Sequence, residues 1–281
     1  MHSIVPAGRV AVMAVVNRTP NSFYEGARTF GLEAALGAAR SAVDHGADWV
    51  DIGGLPFSPD TPLIGIDEEI ERVVPVISGL LAEREVVVSV DTWRVDVARE
   101  AVAAGARVIN DTSGLHDPAM AQLAAETGAT LVICHCLGEP HTHVPRPRYA
   151  DVVGEVADFL VRRRDLARSH GVRDEQIVLD PGHDLTKNTR HSLAITRDFD
   201  RFVELGHPTV AAVSRKDFLS EALDLPKAEL HDASVAAASW CMALGAQVIR
   251  MHDVRAGARA ARLAEVIRGS REPLGPARHN V

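Results

Sequence analysis

"VVVSVDTWRVDVAREAVAAGARVIND", residues 86–111, holds one complete structural period and decides the fold. It opens with a β-branched run, 86–90 (VVVSV), that stops at Asp91-Thr92. Next, 94–105 (RVDVAREAVAAG) has helical apolar spacing and ends in Gly105-Ala106. Glycine is the usual residue just past a helix C-terminus, where a left-handed backbone is needed. A second apolar run, 107–109 (RVI), follows at once and stops at Asn110-Asp111. Two strands that are apolar throughout, joined by a helix, imply parallel pairing under a covering helix.

Working outward, the period recurs. Further strand-like runs lie at 10–16 (VAVMAVV), 48–52 (DWVDI), 130–134 (TLVIC), 177–179 (IVL), 209–213 (TVAAV) and 247–251 (QVIRM). Ala- and Leu-rich helical segments separate them, among them 32–46, 152–171 and 231–245. Gly-Ala closes several, at Gly46-Ala47, Gly128-Ala129 and Gly245-Ala246. Eight units in 281 residues predict an α/β fold of the (β/α)₈ TIM-barrel type, a single domain over 1–268. Residues 269–281 (GSREPLGPARHNV) read as a mobile C-terminal tail. A doubly wound sheet is the competing arrangement of the same alternation.

Composition narrows the function. With 46% AVILMFWYC the chain can bury a large core, and its formal charge of −8 offers no basic face for nucleic acid. Three cysteines, Cys134, Cys136 and Cys241, make no disulfide framework and suit a reducing cytoplasm. No secretory leader pattern and no apolar stretch near the ~18 residues of a membrane span are present, so no membrane partner is expected.

The strand ends carry the chemistry. In order they reach Asn17, Asp51, Asp91-Thr92, Asn110-Asp111, His135, Asp180, Ser214-Arg215-Lys216, and Arg250 with His252. A barrel gathers all such ends on one rim, the face that carries active sites. One Asp or Asn there is an ordinary turn or cap; eight polar ends together need partners or a ligand. Carboxylates and amides suit a polar, NH-rich heterocycle, and the cations suit an anion.

These stretches carry a resemblance. "NRTPNSF", "DIGG", "SVDT", "INDTSG", "CHCLGEP", "DPGHDLTK", "SRKDF" and "IRMHDV" occur in this order, each at a strand end. The chain resembles dihydropteroate synthase and the wider pterin-binding barrel family over almost its whole length, as a divergent homologue of second-copy type. Such synthases join 4-aminobenzoate to a pterin bearing a CH₂–pyrophosphate and release pyrophosphate. The resemblance implies a pterin pocket of Asp91, Asn110, Asp180 and Lys216. It implies a pyrophosphate clamp of Asn17, Arg250 and His252, with backbone N–H groups from 253–257. Asn17 is implied as a ligand of a Mg²⁺ that rides on the pyrophosphate. Asp91, Lys216 and Arg250 are the implied catalytic groups, and Ser214 and Arg215 are the candidates for aminobenzoate. A cytoplasmic homodimer is the carried-over expectation.

Departures stand beside the matches. The family's second strand usually continues Asp-Ile-Gly-Gly-Glu-Ser-Thr-Arg; here "DIGGLPFSPDTP" puts Leu55 at the Glu and Phe57-Ser58 at the Thr-Arg pair. Phe57 and Pro59 could form an apolar lid there. In the first loop Arg18 and Asn21 replace Val and Asp. Arg18 either supplies the missing cation or pairs with Glu25 or Asp184. The sixth loop, usually Gly-Phe-Gly-Lys, reads "GHDLTKN", with His183 and Asp184 of unassigned role. The alternative is therefore a pterin-binding paralogue that has lost condensation or uses another amine. A methyltetrahydrofolate-dependent methyltransferase or a phosphate-binding lyase fits less well.

Other features have plainer readings. In "CHC" (134–136) alternate residues face opposite ways, so the trio does not form a zinc site. His141 and His143 lie in a Pro-rich loop and are expected to be solvated. "RRR" at 162–164 is expected to be a solvated helix face paired with acids. Trp93 is expected to pack rather than to line a pocket.

Overall fold

The computed structural model describes residues 4–5, 7–19, 31–58 and 60–275. Its eight strands are Ala11–Asn17 (β1), Trp49–Gly53 (β2), Val87–Asp91 (β3), Val108–Asp111 (β4), Thr130–Cys134 (β5), Ile177–Asp180 (β6), Val210–Ala211 (β7) and Val248–Met251 (β8). Neighbouring strands pair in parallel, in the order β6-β5-β4-β3-β2-β1-β8-β7. A parallel bridge, Leu179 to Thr209, joins the two ends of that order. The sheet thus closes on itself, which is the (β/α)₈ barrel and not the doubly wound alternative.

The helices are Leu32–Asp44 (α1), Ile66–Glu83 (α2), Val95–Ala103 (α3), Ala119–Thr127 (α4), Val152–Ser169 (α5), Thr189–Arg197 (α6), Asp200–Val203 (α7), Asp217–Leu223 (α8), His231–Ala243 (α9) and Val254–Ile267 (α10). Gly46, Gly105, Gly128 and Gly245 all take positive φ at helix ends, as the Gly-Ala signals require. The strand expected at 209–213 shortens to β7, because Ala212 and Val213 remain buried but leave the ladder toward Ser214. Ser270 donates to the Gly8 carbonyl at 2.7 Å and Arg271 pairs with Glu265 at 2.9 Å, so the start of 269–281 is tied to the barrel. Residues 276–281 lie outside the described residues.

Two apolar layers follow from the period of two along each strand. Ala11, Met13, Trp49, Val108, Val132, Val178, Val210 and Val248 fill the barrel interior. Val12, Ala14, Val50, Ile52, Val88, Val90, Ile109, Leu131, Ile133 and Ile249 face the helices. This phase decides which strand-end groups reach the mouth. Asn17, Asp51, Asp91, Asn110, Asp180 and Arg250 stand an even number of residues from interior positions. Asp111 and His135 are out of phase and are turned toward the helices.

Candidate active site at the mouth of the barrel

Arg250 organises the mouth. Its Nε donates to Asp51 Oδ2 at 2.8 Å and its Nη2 to Asp91 Oδ2 at 3.0 Å. Asn110 Nδ2 donates to the same Asp51 oxygen at 3.1 Å. Asp51 is fully buried, and its Oδ1, like the Ser89 Oγ on the adjacent strand, has no hydrogen-bond partner among the described residues. Burial, then the Asp51 charge, push the Asp91 pKa up to about 7, against the pull of Arg250 and Lys216. Two carboxylates therefore share one guanidinium, and one of them is poised to hold a proton near neutrality.

Asp180 completes the ring of acceptors. Its Oδ1 takes the Gly182 N–H at 2.7 Å. Burial raises its pKa, opposed by that bond and by the Lys216, Arg250 and Lys187 charges. Gly182 is required at that turn: φ is +70°, and a Cβ would sit 2.1 Å from the His135 carbonyl oxygen. Lys216 leads into α8, and its charge acts on Asp91, Asp180 and His252. Ser214 Oγ accepts the His252 N–H at 3.2 Å and lies 3.1 Å from His252 Nδ1, joining the ends of β7 and β8. Arg215 is exposed, with a left-handed φ of 53°. Burial of the ring, then the Arg250, Arg215 and Lys216 cations, lower the His252 pKa to about 3, although the residue keeps an exposed face. In the ligand-free protein it is neutral.

The anion side differs from expectation at α10. Asp253 caps the helix and accepts the Ala256 N–H at 2.9 Å, and the Gly257 N–H goes to the Asp253 carbonyl. A carboxylate thus occupies part of the helix N-terminus that was expected to receive pyrophosphate. Arg250, drawn toward Asp51 and Asp91, lies deeper than a surface clamp.

Asn17 ends β1 on the interior face, beside Gly53 of β2. A Cβ on Gly53 would come within 3.0 Å of Asn17 Oδ1, so the glycine keeps a small open cradle next to that oxygen. Among the described residues no cluster of three or more His, Cys, Asp or Glu could hold a metal ion. One amide oxygen fits a Mg²⁺ that takes its other oxygens from water and phosphate. It does not fit a metal held by the protein alone.

Several sequence expectations change here. His135 leaves the mouth: Lys187 Nζ donates to its Nδ1 at 2.8 Å and Phe159 packs edge-on at 4.6 Å. Burial, then the Lys187 charge, lower the His135 pKa to about 2. Lys187 also donates to the Gly182 and Leu185 carbonyls and so locks the sixth loop. Asp184 accepts from Ser192 Oγ and from the Phe218 N–H at the start of α8, so it is a staple between α6 and α8. His183 is buried between Phe199 and Phe218 with neither ring nitrogen bonded among the described residues. Arg18 donates to the Glu71 and Arg72 carbonyls of α2, and its suggested partner Glu25 lies outside the described residues, as do Asn21 and Pro59. Trp93 is half-buried at the rim rather than in the core, and His141 stacks on it instead of being solvated. His143 is exposed but pairs with Asp60 at 3.0 Å. In the basic run, Arg164 pairs with Asp165 while Arg163 lies over Phe159.

Asp51 is the polar strand end to which the sequence assigned no role in the site. Its phase with Trp49 and Gly53, both readable in "WVDIG", places it inside.

Known proteins match this arrangement. The family model described as "Pterin binding enzyme" covers residues 13–252. A Mycobacterium leprae protein named "Inactive dihydropteroate synthase 2" is 41% identical over 275 residues, 96% of this chain and 94% of that one. The Bacillus subtilis dihydropteroate synthase is 36% identical over 260 residues, 92% of this chain and 89% of the relative. A Xanthomonas albilineans dihydropteroate synthase solved with 4-aminobenzoic acid superposes with a TM-score of 0.86 at 35% identity, covering 92% and 93% of the two chains. With the barrel, the ordered mouth motifs and these matches in hand, the chain belongs to the pterin-binding enzyme family of dihydropteroate synthase.

Proposed function

We propose that this chain binds a pterin carrying a CH₂–pyrophosphate and is a dihydropteroate synthase-type transferase whose condensation with 4-aminobenzoate is weak. The observation that carries the reading is the acceptor ring at the mouth. Asp51, Asp91, Asn110 and Asp180 bring carboxylate and amide oxygens together below Lys216, and one buried oxygen, Asp51 Oδ1, lacks a donor among the described residues. A pterin edge supplies such donors through its amino group and ring N–H, each bond to a charged acceptor being worth about 1.5–3 kcal/mol. Asp180 and Asn110 orient the ring, and Lys216 donates to its acceptors.

In the reaction the C–O bond between methylene and pyrophosphate breaks, and its electron pair leaves with pyrophosphate. The amine lone pair then forms the C–N bond, and the amine loses a proton. Asp91, when ionised, stabilises positive charge developing on the methylene. Arg250 and His252 face the departing anion, and Asn17 would hold a Mg²⁺ that neutralises it. Ser214 and Arg215 would receive the aminobenzoate carboxylate.

A second reading, a pterin-binding paralogue without turnover, draws on the loops. The Thr-Arg pair is replaced by Phe57-Ser58, and Arg18 donates to the Glu71 and Arg72 carbonyls of α2. Weaker stabilisation of the transition state there would depress kcat without loosening the pterin. The test is calorimetric pterin binding beside a condensation assay with the pterin pyrophosphate and 4-aminobenzoate. Slow turnover with firm pterin binding is expected, and Arg215→Ala should raise the aminobenzoate KM more than it changes pterin affinity. Rates typical of synthases would show the missing pair to be dispensable. Absent turnover with intact binding would select the second reading, and absent pterin binding would end both.

A cytoplasmic homodimer belongs to the same proposal. Exposed Trp240, Leu263 and Ile267 lie on α9 and α10, which border a mainly apolar cavity of about 800 Å³. No helix among the described residues is long and apolar enough to cross a membrane.

A further inference from the structure

Beside the mouth lies a second chamber of about 470 Å³, lined by Phe57, Pro147, Lys187, Arg215 and Lys216 among others. Lys216 belongs to both spaces, so the chamber adjoins the pterin side. Its outer wall comes from the rewritten loop after β2, and that loop is fastened. His141 Nε2 lies 2.7 Å from the Thr61 carbonyl oxygen, a contact spanning 80 residues of chain. A carbonyl only accepts, so Nε2 carries a proton; Nδ1 is buried without a partner among the described residues. The His141 ring stacks on Trp93, centroids 6.0 Å apart and planes 26° from parallel. Phe57 meets the same indole edge-on at 5.8 Å. Behind Trp93, Arg94 lies 5.9 Å from the ring centroid and is held by buried Glu69 at 2.9 Å, which also takes the Thr92 hydroxyl. His143 adds the tie to Asp60. His141 itself takes a left-handed φ of 60°, a turn that delivers the ring.

We propose that His141 is a positioning residue that pins 60–62 to the rim, giving the acceptor chamber a fixed aromatic wall of Phe57 on Trp93. Where the family places a Thr-Arg pair, this chain puts Phe57, backed by Trp93, in the lining that also holds Arg215 and Lys216. Naming the chamber as the acceptor side rests on the proposed function. The fastening does not, so the two can fail separately.

Hydrogen–deuterium exchange on the full, ligand-free chain tests the fastening without turnover. Segment 60–62 should exchange slowly in the wild type. His141→Ala should speed it at least tenfold while β2 and β3 stay protected, and His141→Gln, which restores a donor but no ring, should recover part of the protection. Trp93→Leu, which removes the surface under the ring, should loosen the same segment and serves if His141→Ala folds poorly. Where turnover is measurable, His141→Ala should raise the amine KM at least fivefold with kcat within twofold. Rapid exchange of 60–62 in the wild type, or unchanged exchange in both alanine and leucine variants, overturns the proposal.

Discussion

Asp51→Asn isolates the charge at the centre of the mouth. The wild-type carboxylate accepts from Arg250 Nε at 2.8 Å and Asn110 Nδ2 at 3.1 Å through one oxygen, leaving the other buried and unbonded among the described residues. An amide oxygen can take over that double acceptance, but a charge-assisted bond worth about 1.5–3 kcal/mol becomes a neutral one. The amide nitrogen then occupies the unbonded position as a buried donor without a partner, at about 1–3 kcal/mol. Only the difference between the charged and the neutral bond is lost, about 1–1.5 kcal/mol, so the two effects together come to about 2–4 kcal/mol, at the lower edge of what halving a buried ion pair costs. A partial offset depends on pH. Asp91 is pushed up to about 7 first by burial and next by Asp51, so the folded wild type carries an extra proton between the unfolded carboxylate value near 4 and about 7. Removing Asp51 lowers that pKa and relieves repulsion wherever Asp91 is ionised. The loss should therefore be largest near pH 6 and smaller by roughly 1–2 kcal/mol at pH 8. Urea unfolding of both proteins at the two pH values measures it. A loss below about 1 kcal/mol, or the same loss at both pH values, would refute the shared-guanidinium account.

Three further outcomes follow from the same geometry. Asp180→Asn should weaken pterin binding by about 1–3 kcal/mol in calorimetry, since a charged acceptor becomes a mismatched amide; unchanged affinity removes Asp180 from the pocket. Mg²⁺-pyrophosphate affinity should rise as pH falls below the ordinary imidazole range, because a bound anion lifts the depressed His252 pKa; His252→Gln should remove that portion of the curve, and coincident curves would contradict it. His183→Phe should stabilise the fold by about 1–2 kcal/mol at neutral pH, since it removes two unbonded buried nitrogens from a Phe199–Phe218 stack. Burial holds the His183 pKa at about 3, so the wild type loses stability as pH falls from about 6.5 toward that value; the variant should shed one proton's worth of slope, about 1.4 kcal/mol per pH unit, and equal slopes would sink the idea.

The alternation of apolar runs with Gly-Ala helix ends is enough to read the barrel, because both signals are local. The mouth is half legible. Asn17, Asp91, Asn110, Asp180 and Arg250 are visible as polar strand ends, and the structure brings them to one rim. Asp51 needs one step more, the period of two counted back from Trp49, and the same count turns His135 and Asp111 away. The loops are not legible. Whether His141 meets Thr61, or Asp184 caps α8, depends on where two distant segments run across the rim, and no local pattern encodes that. Arg18 shows the limit well: its type suggests a replacement cation, and nothing local signals the helix carbonyls to which it donates.

The join between β6 and β7 has a mechanical consequence. Elsewhere neighbouring strands pair through at least two registered residues, but here a single bridge, Leu179 to Thr209, closes the cylinder, with the Leu179 N–H donating to the Pro208 carbonyl. A hoop yields at its thinnest stave. Asp180 and Lys216 stand on opposite sides of that stave, so the shortest ladder of the barrel lies between these two mouth residues. The arc from β1 to β5 sets Asn17, Asp51, Asp91 and Asn110 in register through longer ladders, so local opening of the sheet should cost least between β6 and β7, at the edge of the mouth farthest from them.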